Sequence, residues 1–447
     1  MIARLGAFCS RISEQVVPDP FIFALLLTLF TLILGVILTP NTPTMMVGHW
    51  MNGFWELLAF AMQMVLILVT GGVLAQSPPV RKLISRIAQW PRNCGSAVML
   101  VGFAAMATAL INWGLGLIVG ALLAKETARS LQERGVPHHY PLIGAAGYTG
   151  LMIWHGGLSG SAPLTVATSG HFLEKTIGII PVTQTTFGLL NIVITLAILA
   201  AAPFFLRAMV PRGRETWIAI GKTGTSPLSD AVAEPVAGSR TIGQRLDESR
   251  ILTFVMCLLA IGFLIYHFAR QGLAGLDLNS INAGFLFLGF LFYLRPIRYV
   301  QAVGEAVKGA SGIILQFPFY AGIMGMMRDS GLVEVFSNVM VNISSPQTFT
   351  ALSFISAGLV NLFVPSGGGQ WAVQGPILTG AATKLGVSPA HTVMALAYGD
   401  EWTNMLQPFW ALPLLGITGL QARQIIGYST AVMLLVGPII FLGLLVF

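Results

Sequence analysis

Residues 349–383 form an apolar run broken at its centre by Pro365-Ser366-Gly367-Gly368-Gly369, inside the stretch Asn361–Trp371 (NLFVPSGGGQW). A plain helix cannot pass through it. Proline lacks the amide proton and crowds the preceding turn, and three successive glycines offer no side chain that favours helix over coil. In lipid, backbone groups freed in this way are tolerated only where protein or a wet cavity satisfies them. The stretch therefore reads as a break at membrane depth, with amides and helix ends turned toward a site.

The composition supplies the membrane. Of 447 residues, 55% are hydrophobic and 9% are charged, where a soluble chain carries about a quarter charged residues. Apolar stretches of span length recur from end to end. The net charge of +7 lies in the loops between them, so it reads as retention of those loops on the cytoplasmic side, with no nucleic-acid partner implied. Cys9, Cys94 and Cys257 are scattered, in neither a disulfide nor a metal-ligand spacing. The basic N-terminus with Arg4 and Arg11 resembles a signal peptide, but no small-residue cleavage site follows, so Phe21–Leu38 reads as the first span, entered at Asp19-Pro20.

A second span is expected over Trp50–Ala75, then an amphipathic surface helix over 78–92 with Arg81, Lys82, Arg86 and Arg92. Residues 94–128 make a further apolar run, interrupted at Ile111–Gly116 (INWGLG). One straight helix of that length would reach ~50 Å against a hydrocarbon core of ~30 Å. Two short helices meeting at a tip fit better, as a re-entrant hairpin, and 349–383 reads as a second one. Spans follow over 140–167, broken at 154–161, and over 182–206; a polar, flexible linker is expected over 207–250. Spans at 251–268, 280–294 and 309–327 precede the second hairpin. A span at 390–416, broken at Gly399–Asn404 (GDEWTN), and one at 424–447 complete the chain.

The expected architecture is thus an all-α polytopic membrane protein of about nine full spans and two hairpins, with halves 1–206 and 251–447 joined by the linker. In that topology 20 of the 24 Lys and Arg face the cytoplasm, leaving Lys175, Arg270, Arg328 and Lys384 outside. It places the N-terminus in the cytoplasm and the C-terminus in the periplasm. Gln63 and Gln316 are 253 residues apart, Asn112 and Asn361 249, Tyr148 and Tyr398 250, Pro163 and Pro413 250. The shared offset reads as an internal repeat, and five direction changes between copies would invert the second. Inverted repeats with broken helices near the midplane are a secondary-transporter layout.

Four breaks then converge, near Asn112, Ser159, Asn361 and Asp400. Helix N-termini there favour anions. Gly114, Gly116, Gly160, Gly367, Gly368 and Gly369 allow close backbone approach, while Asn112, Ser159, Ser161, Asn361, Ser366, Gln370, Thr403 and Asn404 offer neutral donors and acceptors. No Arg or Lys sits at a break, which suits a small carboxylate balanced by helix ends or a co-bound cation. Trp113, Trp154, Trp371 and Trp402 flank the four breaks and could wall an acyl chain, or simply pack beside glycine. Asp400 and Glu401 are the deepest acids and the candidates for the coupling ion. Two adjacent acids beside an anion site should not both be ionised, so one carries a coupled proton, or one carboxylate with nearby carbonyls holds Na⁺; both readings stand. His155 reads as a hydrogen-bonded packing residue outside any proton path. Gln63 and Gln316 read as partners of unwound backbone. No cofactor is implied.

INWGLG, FGLLN, LDESRILT, QFPFYAGI, VPSGGGQWAVQGP, MALAYGDEW and NMLQPFWALP together resemble the bacterial short-chain fatty acid transporter family, of the AtoE type. The likeness runs from VPDPFIFALLLT to the C-terminus. It implies uptake of monocarboxylates such as butyrate or acetoacetate across the inner membrane, and membership of the ion transporter superfamily, with two inverted repeats and elevator-like motion. It also implies substrate at Asn112–Gly116, Ser159–Ser161, Asn361–Trp371 and Asp400–Asn404. Superfamily relatives often carry Ser-Asn-Thr at the tips; this chain carries Asn-Trp-Gly and Pro-Ser-Gly-Gly-Gly instead.

The expectation is a cation-coupled symporter working by alternating access, with the lipid bilayer and a homodimer partner as surroundings. The alternatives are a transporter of another anion such as a dicarboxylate, an intramembrane enzyme, or a channel. Against an enzyme stand the lack of a His-Glu-x-x-His helix and of a Gly-x-Ser-x-Gly elbow, to which Gly156–Gly160 comes nearest without a base in reach.

Overall fold

The computed structural model describes residues 20–211, 217–219, 241–362, 366–407 and 410–447, and among these every regular element is a helix. Cys9, Arg4, Arg11, Asp19, Pro365 and much of the 207–250 segment lie outside the described residues. The chain begins with α1 (Pro20–Leu38), α2 (Pro43–Gly53), α3 (Leu58–Ala75) and the amphipathic α4 (Pro78–Ile87). The helix expected from Trp50 starts only at Leu58. Thr42 caps the separate helix α2 by accepting from the Met45 N–H (3.3 Å), with Pro43 at its first position. Trp50 therefore belongs to α2, where its ring meets Phe54 at 4.8 Å. Arg328 pins the turn after it through a two-pronged pair on Glu56 (2.7 and 2.9 Å).

Asn112 alone separates α5 (Cys94–Ile111) from α6 (Trp113–Glu133). The two helices fold back on one another: a Cβ on Gly116 would meet Ala109, and one on Gly120 would meet Ala105. Residues four later on one helix face residues four earlier on the other, as antiparallel neighbours must. Next come α7 (Tyr140–Tyr148), 3₁₀ turns at Thr149–Met152 and Trp154–Gly156, α8 (Ser161–Ala167), the single turn α9 (Glu174–Ile177) and α10 (Leu189–Ala208). The break expected at 154–161 thus opens five residues earlier. Gly150 and Gly157 press on the Ala105 and Leu110 carbonyls, and the Leu158 N–H donates to Leu110 O (2.7 Å). The α5 backbone takes over the hydrogen bonding that a continuous helix would have kept to itself. Helix α10 starts later than the expected 182, because 182–188 turn beneath Asn191, whose Nδ2 donates to Thr186 O (2.7 Å).

Within the expected flexible linker, residues 217–218 are bound: Trp217 Nε1–H donates to Pro211 O (3.0 Å), and Ile218 O accepts from the Tyr140 N–H (2.8 Å). After it come α11 (Ile242–Asp247), α12 (Arg250–Gln271), α13 (Leu278–Tyr293), α14 (Pro296–Val307), α15 (Ser311–Ser330) and α16 (Leu332–Ile343). Helix α16 lies between the expected spans; Gly331, at φ +86°, lets it turn off the end of α15. The chain closes with α17 (Phe349–Asn361), α18 (Gly367–Leu385), α19 (Pro389–Thr403), a 3₁₀ turn at Asn404–Leu406, α20 (Leu412–Thr418) and α21 (Ala422–Val446). Two expectations need correction here. Gly367, Gly368 and Gly369 form the first turn of a helix instead of preventing one, and the break expected at Gly399–Asn404 lies beyond Thr403.

Six helical stretches among the described residues are long and apolar enough to cross a membrane: Leu58–Ala75, Cys94–Ile111, Leu189–Ala208, Arg250–Gln271, Pro296–Ser330 and Ala422–Val446. Packing recurs across the two halves. Helix α3 lies on α6 as α15 lies on α18; α5 lies on α7 as α17 lies on α19; α5 meets α10 as α17 meets α21. Buried apolar residues form three clusters among the described residues, while α12 is left with little cover.

Helices α6 and α7 touch backbone to backbone, since a Cβ on Gly120 would lie 2.1 Å from Gly147 O and one on Gly147 2.5 Å from Gly120 O. Gly147→Ala should lower the melting temperature of the purified protein, at a cost of about 1–3 kcal/mol for overpacking. Gly262→Ala, in open space on α12, should not.

His139, ahead of α7, is pushed down to about 4 from an ordinary 6.5, by burial first and by neighbouring His138 second. Its Nε2 meets Tyr428 Oη (2.9 Å) and its Nδ1 accepts from the Ile218 N–H (3.2 Å). The unfolded chain takes this proton first, so stability should fall as pH drops from about 6.5 to about 4. His139→Gln should flatten that part of the melting-temperature profile.

Candidate functional site

Two of the longer helices begin at the same small space. Trp113, first residue of α6, and Gly367 and Gly368, first of α18, line a small cavity of about 30 Å³ together with Ser161, Ser366 and Asn404. Its other walls are Met64, Leu151, Trp154, Ile313, Phe317 and Trp410. One side offers helix starts and neutral polar groups, the other apolar side chains, and none of these residues is charged. A space of this size holds roughly two waters.

The two helix starts are capped differently. Asn112 Oδ1 accepts from the Leu115 N–H (2.9 Å) while its Nδ2 donates to Ile67 O (3.2 Å), tying the tip to α3. At the second tip the cap is Ser366, whose Oγ accepts from the Gly369 N–H (3.3 Å). Asn361 instead ends α17, its Nδ2 donating to Asp400 O (2.6 Å), Thr403 Oγ1 (3.0 Å) and Asn404 Oδ1 (2.9 Å). The sequence match of Asn112 with Asn361 therefore does not carry a common role. A one-residue turn puts Asn112 at both helix ends, whereas residues 362–365 separate Asn361 from the next cap, Ser366.

The glycine run is explained by rings. A Cβ on Gly367 would lie 2.8 Å from both His155 Cε1 and Trp154 Cη2, one on Gly368 2.8 Å from Phe60 Cζ, and one on Gly369 2.6 Å from Tyr320 Cδ2. Aromatic edges wrap the first turn of α18 from three sides, which only hydrogen side chains permit. At the first tip, Gly114 likewise faces Leu68 O and Gly160 faces His155 O.

Of the remaining expected site residues, Ser159 is buried and accepts from the Trp113 N–H (2.9 Å), joining the first break to the first tip. Ser161 Oγ points to Met64 Sδ (3.4 Å) in the cavity wall. Gln370 Nε2 donates to Ala357 O and Gln374 Oε1 (2.8 Å each), Thr403 Oγ1 to Gly358 O (2.9 Å) and Asn404 Nδ2 to Leu151 O (3.3 Å). Trp371 is fully buried against Phe172, outside the cavity lining, and Trp402 donates to Met433 O (2.7 Å) beside Phe354. These two tryptophans do not wall the space. Trp410 does, meeting Trp113 edge to face at 5.3 Å. Gln63 and Gln316 do not bond unwound backbone: Gln63 Nε2 donates to Asn279 Oδ1 (2.8 Å) and Gln316 Oε1 accepts from Tyr320 Oη (3.0 Å).

Behind the cavity lies a buried cluster of ionisable side chains. Asp400 and Glu401, in the last turn of α19, are each about 1% exposed. Asp400 Oδ2 is 2.7 Å from His155 Nδ1, and Glu401 Oε2 accepts from the His155 N–H (2.6 Å). His155, which the sequence reading set aside, is the centre of the cluster. Its ring is fully buried and stacks on Trp154 at 4.4 Å. The partners are 245 residues apart, so no local spacing announces them.

A second, wider cavity of about 650 Å³ adjoins the first, sharing Trp113 and Trp410, and reaches Gln76, Lys308 and Gln316. The indole pair stands between the two spaces.

The family model for short chain fatty acid transporters matches residues 1–447. The chain belongs to the short-chain fatty acid transporter family. Two similar proteins carry provisional names as short-chain fatty acid transporters: one from Escherichia coli (strain K12), 42% identical over 447 residues and all of both chains, and one from Haemophilus influenzae, 40% identical over 99% of each. The family is one of transporters, not enzymes. Solved structures share the fold at low identity. The YdaH transporter of Alcanivorax borkumensis aligns with a TM-score of 0.57 at 19% identity, over 96% of this chain and 97% of that one. MtrF of Neisseria gonorrhoeae, described within a class of antimetabolite efflux pumps, aligns with a TM-score of 0.59 at 14% identity, over 98% and 96%.

Because rings fill the space around it, Gly367→Ala should abolish transport even though alanine is the better helix former. The check is whether uptake by the variant is lost while its helix content by circular dichroism stays unchanged.

Proposed function

We propose that the protein carries short-chain monocarboxylates, of the butyrate or acetoacetate kind, across the bacterial inner membrane by cation symport and alternating access. The observation that carries the reading is the cavity itself, where the starts of α6 and α18 meet beside Ser161, Ser366 and Asn404 and face Met64, Ile313 and Phe317. Helix N-termini and hydroxyls suit one carboxylate, and the apolar wall suits a short tail. Asn112, Ser159, Asn361, Gln370 and Thr403 hold the breaks in shape around the ligand, and Asp400 and Glu401 couple the cation.

In this reading the two helix pairs, α5–α6 and α17–α18, are re-entrant hairpins in inverted halves, 1–206 and 251–447. The matched packing of the halves supports that reading. The wide cavity contains Lys308, on the side where the sequence concentrates Lys and Arg, so it opens to the cytoplasm. The Trp113–Trp410 pair closes the small chamber from it, and substrate entry requires the pair and the hairpin tips to part.

Counterflow in proteoliposomes tests the reading: labelled butyrate should accumulate against its gradient in vesicles preloaded with butyrate, and succinate should not compete. Failure of any monocarboxylate to exchange would overturn it. Phe317→Ala, which enlarges the apolar wall, should shift preference toward longer acyl chains. At about 0.8 kcal/mol for each buried CH₂, the change is roughly fourfold per added carbon, read from competition by pentanoate and hexanoate.

A further inference from the structure

His155 has one hydrogen bond that fixes the state of its ring. The Ala162 N–H donates to Nε2 at 3.0 Å. A nitrogen that accepts a hydrogen bond carries no proton, so the ring proton is assigned to Nδ1, which donates to Asp400 Oδ2 at 2.7 Å. The pair is therefore a neutral imidazole donating to an Asp400 carboxyl oxygen, in a site where both side chains are at most 1% exposed. Asp400 Oδ1 has no partner among the described residues, and none of the described ion pairs brings a Lys or Arg to it. A buried charge so poorly compensated is costly.

The ring also packs behind three residues of the chamber wall. It stacks on Trp154, it lies against the backbone of Gly367, and the amide it accepts from follows Ser161; Trp154, Gly367 and Ser161 all line the cavity. The titratable groups facing it come from α19: Asp400, Glu401 and, beyond them, Tyr398, whose Oη donates to Asn191 Oδ1 (2.9 Å). From α7, the Tyr148 hydroxyl donates to the Asn404 and Gln407 carbonyls (2.9 Å each). Helix α8 holds no acid or base, and α5 holds only Cys94 at its far end.

We propose that His155 Nε2 takes up the proton that accompanies each substrate anion. The inference rests on the transport reading above and chooses the proton over Na⁺. A proton from water on the entry side binds Nε2, and the Ala162 N–H hydrogen bond breaks because two N–H groups now face each other. The imidazolium and the Asp400 carboxylate become a neutral pair, and the negative charge lost from that pair is replaced by that of the bound monocarboxylate. On the far side the proton returns from Nε2 to water, the Ala162 bond re-forms, and the restored negative charge expels the anion. One proton and one anion move together with no net charge. Freed Ala162 loosens the start of α8 next to Ser161, linking protonation to the shape of the chamber.

The test is butyrate binding to the purified wild type by calorimetry in buffers of different ionisation enthalpy, with ¹⁵N-histidine spectra collected with and without butyrate. About one proton should be taken up per butyrate, and affinity should tighten by up to about tenfold per unit fall in pH, as one-proton linkage requires. One imidazole, assigned by its absence in His155→Gln, should pass from the Nδ1–H tautomer to the doubly protonated ring. Should that variant not fold, the proton count on the wild type still decides. Butyrate bound without proton uptake, affinity that follows Na⁺ instead of pH, or uptake with every ring unchanged overturns the inference and leaves transport intact. Absence of both binding and counterflow in the wild type overturns the transport reading as well.

Discussion

A helix that stops inside a bilayer must hand its unpaired backbone groups to something other than water. Most of what surrounds the cavity answers that demand. The Trp113 N–H goes to Ser159, the Leu158 N–H to Leu110 O, and Asn361 Nδ2 to Asp400 O. Gln407 Nε2 donates to Asn361 O, and the Tyr148 hydroxyl serves the Asn404 and Gln407 carbonyls. Tyr398 reaches Asn191, which in turn donates to Gly156 O. The interruptions are thus held largely by residues from other parts of the chain, Ser159, Tyr148 and Asn191 among them. No single break could stand alone in such a scheme.

The same economy shapes the chamber. Polar groups that end helices cannot also be spare ligands, and Asn112, Asn361, Thr403, Ser366 and Asn404 all hold backbone, while Ser161 Oγ, on Met64 Sδ, also lines the cavity. The glycines answer a different need. They let Trp154, Phe60 and Tyr320 close upon the first turn of α18, so that end of the chamber is backbone and much of the remainder is aromatic and aliphatic wall. A site built from helix ends instead of Lys or Arg suits an anion that must be released as readily as it is bound.

Much of this was legible in the chain. The tips at Asn112 and at Ser366–Gly369, and the burial of Asp400 and Glu401, follow from Gly, Pro and acidic residues set in apolar sequence. Other features were misplaced for local reasons. Gly367–Gly369 looked like helix breakers because propensity alone was considered, whereas packing against rings decides their state. The break beyond Thr403 was set too early because a buried acid pair resembles a helix end. His155 was set aside because a lone histidine beside glycine has no visible partner, and Trp410 was passed over among the aromatics of NMLQPFWALP.

Apolar length, charge bias and helix-interrupting residues are properties of neighbouring positions, and the sequence by itself therefore determined a helical membrane protein with interrupted apolar helices. Which groups meet across those interruptions depends on how separate helices lie in space. Only the tertiary structure could bring His155 to Asp400 across 245 residues, place Trp410 on Trp113, and turn Trp371 and Trp402 away. A hydrogen bond needs two atoms within about 3 Å, and no local pattern reports that distance between residues so far apart in the chain.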